Sequence, residues 1–311
     1  MTAKVILNPY AGRWLAKQRL PDAEAALQAA GVDYNLVVTE QPGHGISLAE
    51  QAVLQGFSPI ISAGGDGSIS EVVNGIARAA ETSGEASLAP FGVLPLGSAN
   101  DFVDNFGLPR DLAAAARVIA AGRTRRIDLG QVNGRYFDNN AAIGLEPYIT
   151  LIQQRITRLR GVLRYLMATL IGIQHNPKWT MHLEWDGGEY SGPVTLVTVG
   201  NAPRTGGIFY TTPHADPFDG KLTFVYGFMA TRAEILRLLP RTMKPGVGSY
   251  VEHPSIHEVN ATWLRVRSEQ PTPAHADGEI ISPAISELEY RLCPARLPVL
   301  LPEVPGMQLL S

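Results

Sequence analysis

A single cysteine, Cys293, is all the thiol chemistry the chain holds. It excludes an intramolecular disulfide and any zinc site built on several cysteines, and it fits a reducing, cytoplasmic setting. Excess charge of one sign is also lacking: the formal net charge is −3. No global basic field is available to recruit nucleic acid, so any anion binding is local. Long apolar runs are missing as well. Val5-Ile6-Leu7 is stopped by Asn8-Pro9 before a signal-peptide core forms, and the apolar stretch after Arg164 is cut by Gly172 and His175. Both fall short of the roughly 18 uninterrupted apolar residues of a spanning helix. Any membrane role expected from this pattern is peripheral.

Several familiar signatures are absent too. There is no Gly-x-x-x-x-Gly-Lys-[Ser/Thr] loop, and Gly43-His44-Gly45 lacks the third glycine, at Leu48, of a dinucleotide fingerprint. His253 and His257 stand four apart, but Pro254 intervenes and no glutamate follows His253, so they read as surface or structural histidines. No internal repeat is found.

What is present is enough chain, 311 residues, for two domains. From Lys4 to about Ile127 short apolar runs (Val5 to Leu7, Tyr34 to Thr39, Pro59 to Ser62, Phe91 to Leu94) alternate with helical patterns (Trp14 to Ala30, Ile46 to Gln55, Ile69 to Ala80, Asp111 to Ala121). That rhythm builds a parallel sheet covered by helices. After Asp128 the texture changes to alternating strands and Gly or Pro turns, including Asn133-Gly134, which suits an antiparallel sandwich. The expected organisation is an α/β domain over 1–128, a β-rich domain over 129–293, and a proline-rich tail over 294–311 that packs back on the first domain. One long basic amphipathic helix, Ile149 to Gln174 with Arg155, Arg158, Arg160 and Arg164, is expected inside the β region. It reads either as a packing helix with a solvated arginine face or as a contact with anionic lipid.

The chemistry concentrates in two loops. Ile60 to Ser68 runs from an apolar strand through Gly64-Gly65-Asp66-Gly67-Ser68 into a helix. This order leaves backbone N–H groups unpaired where glycines let phosphate oxygens approach. An ordinary strand-to-helix turn also uses glycine. Asp66 beside phosphates argues for a bridging Mg2+. A second loop, Gly97-Ser98-Ala99-Asn100-Asp101-Phe102, leaves the strand Phe91 to Leu94. Ligands collect outside the carboxyl ends of strands in open α/β sheets, so Asp66 and Asp101 are expected to share one cleft. Asp219-Gly220 and Asp277-Gly278 read, each alone, as solvated turns.

Taken in order, Asn8-Pro9, Gly64 to Ser68, Gly97 to Phe102, Asp219-Gly220 and Asp277-Gly278-Glu279 resemble the diacylglycerol kinase catalytic-domain superfamily, in its bacterial lipid kinase branch. The resemblance spans nearly the whole chain. It implies a Rossmann-like parallel sheet of the NAD-kinase/diacylglycerol-kinase type followed by a mostly antiparallel β-sandwich, with ATP and a lipid at the membrane surface meeting in the cleft between. By the same likeness Asn8, Thr39, Gly65, Asp66, Gly67, Ser68, Gly97, Ser98 and Asn100 surround the nucleotide. Asp66, Asp101 and Asp219 serve Mg2+, Asp277 is the general base for the lipid hydroxyl, and Glu279 stands beside it. Departures from the pattern are Ser68 for threonine, Ala99 for glycine, Asn105-Phe106 near a usual arginine, and Glu146 where aspartate is frequent. The resemblance leads to the expectation of a cytoplasmic ATP-dependent lipid kinase, and a dimer is compatible with it. An NAD kinase, which shares the Gly-Gly-Asp-Gly core, and a catalytically inactive nucleotide-binding regulator are the alternatives.

Overall fold

The computed structural model describes residues 1–12, 14–85, 87–156, 159 and 161–303. The chain divides into two compact units, Met1–Leu129 with the stretch from Pro294 onward, and Gly130–Cys293. In chain order the elements begin with β1 (Ala3–Leu7), α1 (Leu15–Gln18), α2 (Leu20–Ala29), β2 (Tyr34–Val38) and α3 (His44–Leu54). They continue with β3 (Ile60–Gly64), α4 (Asp66–Ser83), β4 (Phe91–Pro95), α5 (Asp101–Asn105), α6 (Leu112–Ala121) and β5 (Thr124–Val132).

The sheet of the first unit has the order β2-β1-β3-β4, all parallel, with Val299 opposite Phe91 of β4. Every residue of β3 and β4 is buried, as expected where helices cover both faces of a parallel sheet. On one face α2 and α6 set Ala23, Leu27, Ala116 and Ile119 against Val5, Leu7 and Leu94. Each fully buried leucine or isoleucine there contributes about 1.5–3 kcal/mol. The continuous pattern from Trp14 to Ala30 is broken into α1 and α2: Arg19 lies outside helical geometry and Pro21 starts the second helix near its N-terminus, where its missing N–H costs nothing.

The second unit contains β6 (Arg135–Phe137), β7 (Asn140–Gly144), α7 (Leu145–Arg155), α8 (Gly161–His175), β8 (Trp179–Trp185), β9 (Gly188–Val194) and β10 (Leu196–Gly200). It is completed by β11 (Leu222–Gly227), α9 (Arg232–Leu238), β12 (Ile256–Ala261), β13 (Trp263–Ala276) and β14 (Glu279–Leu300). One antiparallel set runs β12-β11-β10-β7-β13 and another runs β9-β8-β13-β14. Strand β13 serves both: Leu264 to Ser268 pair with β8, whereas Ala274 to Ala276 pair with β7. The register shifts between Arg267 and His275 bend the strand from one set to the other, as bulges do at sandwich corners. The inner faces meet in a core that includes Phe137, Ile143, Leu183, Val199, Phe224, Val266 and Tyr290.

The single basic helix expected over Ile149 to Gln174 is instead two. Helix α7 ends where Ile156 adopts extended geometry, and α8 packs on it, with Gly172 against Ile149 and Arg164 Nε donating to the Gln153 carbonyl at 2.7 Å. Arg158 and Arg160 lie outside the described residues. An apolar period of about 3.6 persists across a break when both helices bury the same face, so the pattern alone does not reveal the division.

Candidate active site

In the first unit four consecutive strand ends bring the predicted residues together. Leu7 is in register with Val38 and Ala63, and Gly64 with Pro95. Asn8, Thr39, Gly65 and Gly97 therefore follow the carboxyl ends of adjacent strands. Backbone bonds tie them in place: Thr39 N–H to the Leu7 carbonyl at 2.8 Å, Asn8 N–H to Ala63 at 3.0 Å, and Leu96 N–H to Gly64 at 2.9 Å. Asn8 Nδ2 donates to Ser68 Oγ at 2.9 Å, which joins the first strand end to the first turn of α4. Ser98 is exposed at the tip of the second loop.

The two glycine loops touch. A Cβ at Gly65 would come within 2.9 Å of the Gly97 Cα, a separation real side chains do not reach. Glycine is needed here for close approach of backbones rather than for left-handed torsion. Helix α4 follows Gly65 without a side-chain cap, and the start of a helix favours an anion. In the second loop Asn100 is left-handed at φ 53° and donates from Nδ2 to the Gly97 carbonyl at 3.1 Å. Its Oδ1 is buried without a hydrogen-bond partner among the described residues. A buried polar atom left unpaired is costly and is often explained by an absent ligand or water.

Asp66 opens α4, and its Oδ1 accepts the Phe102 N–H at 3.1 Å, so the first loop's carboxylate caps the helix α5 that leaves the second. Burial pushes its pKa up, and the amides of Phe102, Asp66, Asn100 and Asp101 offset this only in part. Asp101, at the start of α5, is buried. A guanidinium also reaches this loop: Arg110 donates to both oxygens of Asp104 at 2.8 and 2.7 Å and to the Ala99 carbonyl at 2.8 Å. Its pKa is raised first by the bond to Asp104, and the charges of Asp101 and Asp66 add to this. Sequence reasoning passed over Arg110 because it lies outside the motif. Only the fold of α5 turns it back.

The second unit holds the other predicted residues. Asp277 sits in the turn between β13 and β14 at φ 48°. Its Oδ2 accepts from Asp138 N–H at 3.2 Å, and its Oδ1 from Asn139 and Asn140 N–H at 3.0 and 3.2 Å. Glu279, two residues on, is exposed. Asp219 is exposed in a separate turn, where its Oδ1 accepts the Lys221 N–H at 2.9 Å. Among the described residues no three His, Cys, Asp or Glu side chains converge as a metal cluster.

Sequence reasoning noted Glu146 only as a departure and missed its partners. Its Oε1 lies 3.1 Å from His275 Nε2 and 3.0 Å from the donating Asn140 Nδ2, and its Oε2 accepts from Thr198 Oγ1 at 2.9 Å. Burial would raise the Glu146 pKa. The neighbouring His275 and the hydrogen bonds from His275, Thr198 and Asn140 together hold it below the usual carboxylate range. A lone histidine in a strand carries no signal of such a partner.

This fold and these loops define a protein of the type shared by NAD kinases and diacylglycerol kinases. Residues 2–132 match the Diacylglycerol kinase catalytic domain family, and residues 139–301 match the YegS C-terminal NAD kinase beta sandwich-like domain. The chain belongs to the diacylglycerol kinase catalytic-domain superfamily. It is 29% identical over 280 residues to a Staphylococcus aureus (strain JH9) protein named diacylglycerol kinase, covering 89% of this chain and 85% of that one. A crystal structure described as a diacylglycerol kinase from Bacillus anthracis str. Sterne aligns with a TM-score of 0.71 at 20% identity, over 97% of each chain. Yeast NADH kinase complexed with NADH aligns with a TM-score of 0.50 at 12% identity, over 96% of this chain and 82% of that one. At such identities the structural likenesses speak to fold alone.

Proposed function

We propose that this protein is an ATP-dependent lipid kinase that transfers the γ-phosphate to a hydroxyl of diacylglycerol or a related glycerolipid. The observation that carries this reading is the contact of the Gly65 and Gly97 turns, with the uncapped start of α4 beside them. Together they offer backbone amides to a polyphosphate without a side chain in the way. Residues 1–128 would hold ATP, with Asn8, Thr39, Gly65 to Ser68 and Gly97 to Asn100 around it. The family relationship and the S. aureus relative named diacylglycerol kinase support the choice of acceptor class.

Mg2+ fits the donors on this unit. It takes one or two carboxylates together with substrate phosphates and waters, so the lack of a three-carboxylate cluster among the described residues does not oppose it. Asp66 and Asp101 are hard oxygen donors whose burial favours a cation nearby, and Asp219 is a further oxygen donor on the second unit. The ion would offset charge on the transferring phosphoryl group.

Asp277 would accept the acceptor hydroxyl's proton as its oxygen bonds to the γ-phosphorus and the bond from that phosphorus to the β,γ-bridging oxygen breaks, releasing ADP. Three backbone amides hold that carboxylate in place, and Glu279 stands exposed beside it. Residues 129–293 would receive the lipid at a membrane surface on the cytoplasmic side. Leu163, Met167 and Leu170, at four- and three-residue spacing on α8, are 66%, 44% and 52% exposed. Among the described residues no helix is long and apolar enough to cross a membrane.

The test is ATP consumption with Mg2+ when diacylglycerol, phosphatidylglycerol, sphingosine and NAD are offered separately, with the phosphorylated product identified by mass spectrometry. A phosphorylated lipid is expected. Product from NAD alone would replace this reading with the NAD kinase one, and no product from any acceptor would leave nucleotide binding as the activity.

A further inference from the structure

We infer that Glu146 is a positioning residue that acts through Asn140 to hold the Asp277 carboxylate for proton transfer. The inference rests on the reading of Asp277 as the base.

Asp277 has no freedom of its own to set. It is the first residue of the two-residue turn between β13 and β14 and occupies the left-handed region at φ 48°, with Gly278 at φ 77°, as Asp-Gly does in a tight hairpin. One short segment holds its carboxylate: the amides of Asp138, Asn139 and Asn140 bind its two oxygens, and its own N–H returns to the Asn140 carbonyl at 2.7 Å. The carboxylate is therefore placed as accurately as residues 138–140 are placed.

Asn140, within that segment, has a side-chain anchor of its own on an ionised group. It is 1% exposed. Its Nδ2 donates to Glu146 Oε1 at 3.0 Å and its Oδ1 accepts from Thr205 Oγ1 at 3.2 Å. Glu146 in turn reaches the other strand. His275, whose Nε2 lies 3.1 Å from the same Oε1, stands on β13 two residues before Asp277. Pairing of Ala142 with His275 and of Ala141 with Ala276 brings Asn140 to Asp277. One carboxylate thus grips both strands at the place where the Asp277 turn leaves them, and Thr198 Oγ1 holds its second oxygen at 2.9 Å.

Charge matters in this arrangement. Asn140, Thr198 and His275 all present donors to Glu146, and hydrogen bonds to an ionised carboxylate are shorter and about twice as strong as neutral ones. An amide in its place keeps one oxygen for Asn140 and His275 and turns its NH2 to the Thr198 hydroxyl, which can accept, but every bond then loses the assistance of the charge. The anchor on the segment is then weaker while the fold around it keeps its core.

The experiment is steady-state kinetics with ATP and the lipid acceptor on the parent, Glu146→Gln and Glu146→Asp, with thermal melts of each. Misplacing a reacting group by about 1 Å costs up to roughly 100-fold, so Glu146→Gln is expected to lower kcat by about 10- to 100-fold with KM for ATP within about twofold. Glu146→Asp, which keeps the charge, is expected to recover most of the loss. A kcat for Glu146→Gln within about twofold of the parent overturns the inference. So does a rise in KM for ATP in step with the fall, or a Glu146→Asp variant no better than Glu146→Gln. Should Glu146→Gln not fold, Thr198→Val removes one grip on the same carboxylate and is judged by the same split between kcat and KM. A parent that phosphorylates no lipid hydroxyl overturns the proposed function and this inference with it. An active parent with an unaffected Glu146→Gln overturns this inference alone.

Discussion

Under the proposed function, stability and ligand binding make opposite demands on Asp66. Burial raises its pKa in the folded chain, so the folded state holds this proton more tightly than the unfolded one. Stability is then lost as pH rises from the ordinary aspartate value through the raised one, and the whole cost is present above it. Asp66→Asn keeps an oxygen for the Phe102 amide and removes the titration. Without divalent cation, the variant is expected to melt at or above the parent at neutral pH, with the difference shrinking toward about pH 4, as read by thermal melts across that range. Its affinity for Mg2+ and ATP is expected to fall. Equal metal-dependent nucleotide binding in the two proteins would remove the cation from the role given to Asp66. Asp277 offers the complementary case under the proposed function, because a base there acts on the acceptor and not on the nucleotide. Asp277→Ala is expected to reduce turnover on the order of 10²- to 10⁴-fold while leaving ATP affinity, measured calorimetrically, largely unchanged. Full turnover in that variant would end the assignment.

Among elements, the two loops at the ends of β3 and β4 depend on each other. Their glycines let the backbones meet, and Asp66 of the first caps the helix that follows the second. Gly97→Ala forces a methyl against Gly65 and the Asn100 side chain. Overpacking of this kind costs about 1–3 kcal/mol. The expected result is a melting temperature lower by several degrees and a larger fractional loss of nucleotide affinity than of stability, measured by calorimetry and titration. Unchanged nucleotide binding would show that the loops do not need to touch. The strands of the first unit and both glycine loops were legible because apolar runs punctuated by glycine are local signals. The break between α7 and α8 was not, since the apolar face continues across it. The bend of β13 was also hidden: it is defined by which partner each half finds, Leu183 for Val266 and Ile143 for Ala274, and a strand's own residues do not name its partners.

For the molecule as a whole, the near-balanced net charge of −3 means that attraction to an anionic surface has to come from a local basic patch. Exposed Leu163, Met167 and Leu170 on α8, with Arg155 exposed at the end of α7, combine apolar and basic character. Adsorption to anionic vesicles is expected to exceed that to neutral ones at low salt and to weaken as salt is added. Changing the three apolar residues to serine is expected to reduce it. Equal sedimentation with both vesicle types at low salt would contradict this. By itself the sequence determined the two-part organisation of an α/β segment followed by β strands, the glycine loops and the family they mark, because each rests on a short run whose meaning depends only on its neighbours. Tertiary structure alone decided that Asp66 caps the second loop's helix, that Arg110 turns back to Asp104, and that Glu146 meets His275 and Asn140. Those contacts join residues separated along the chain by up to well over a hundred positions. Hydrogen bonds and ion pairs act over a few ångströms in space, and only the folded path of the backbone brings such residues within that reach.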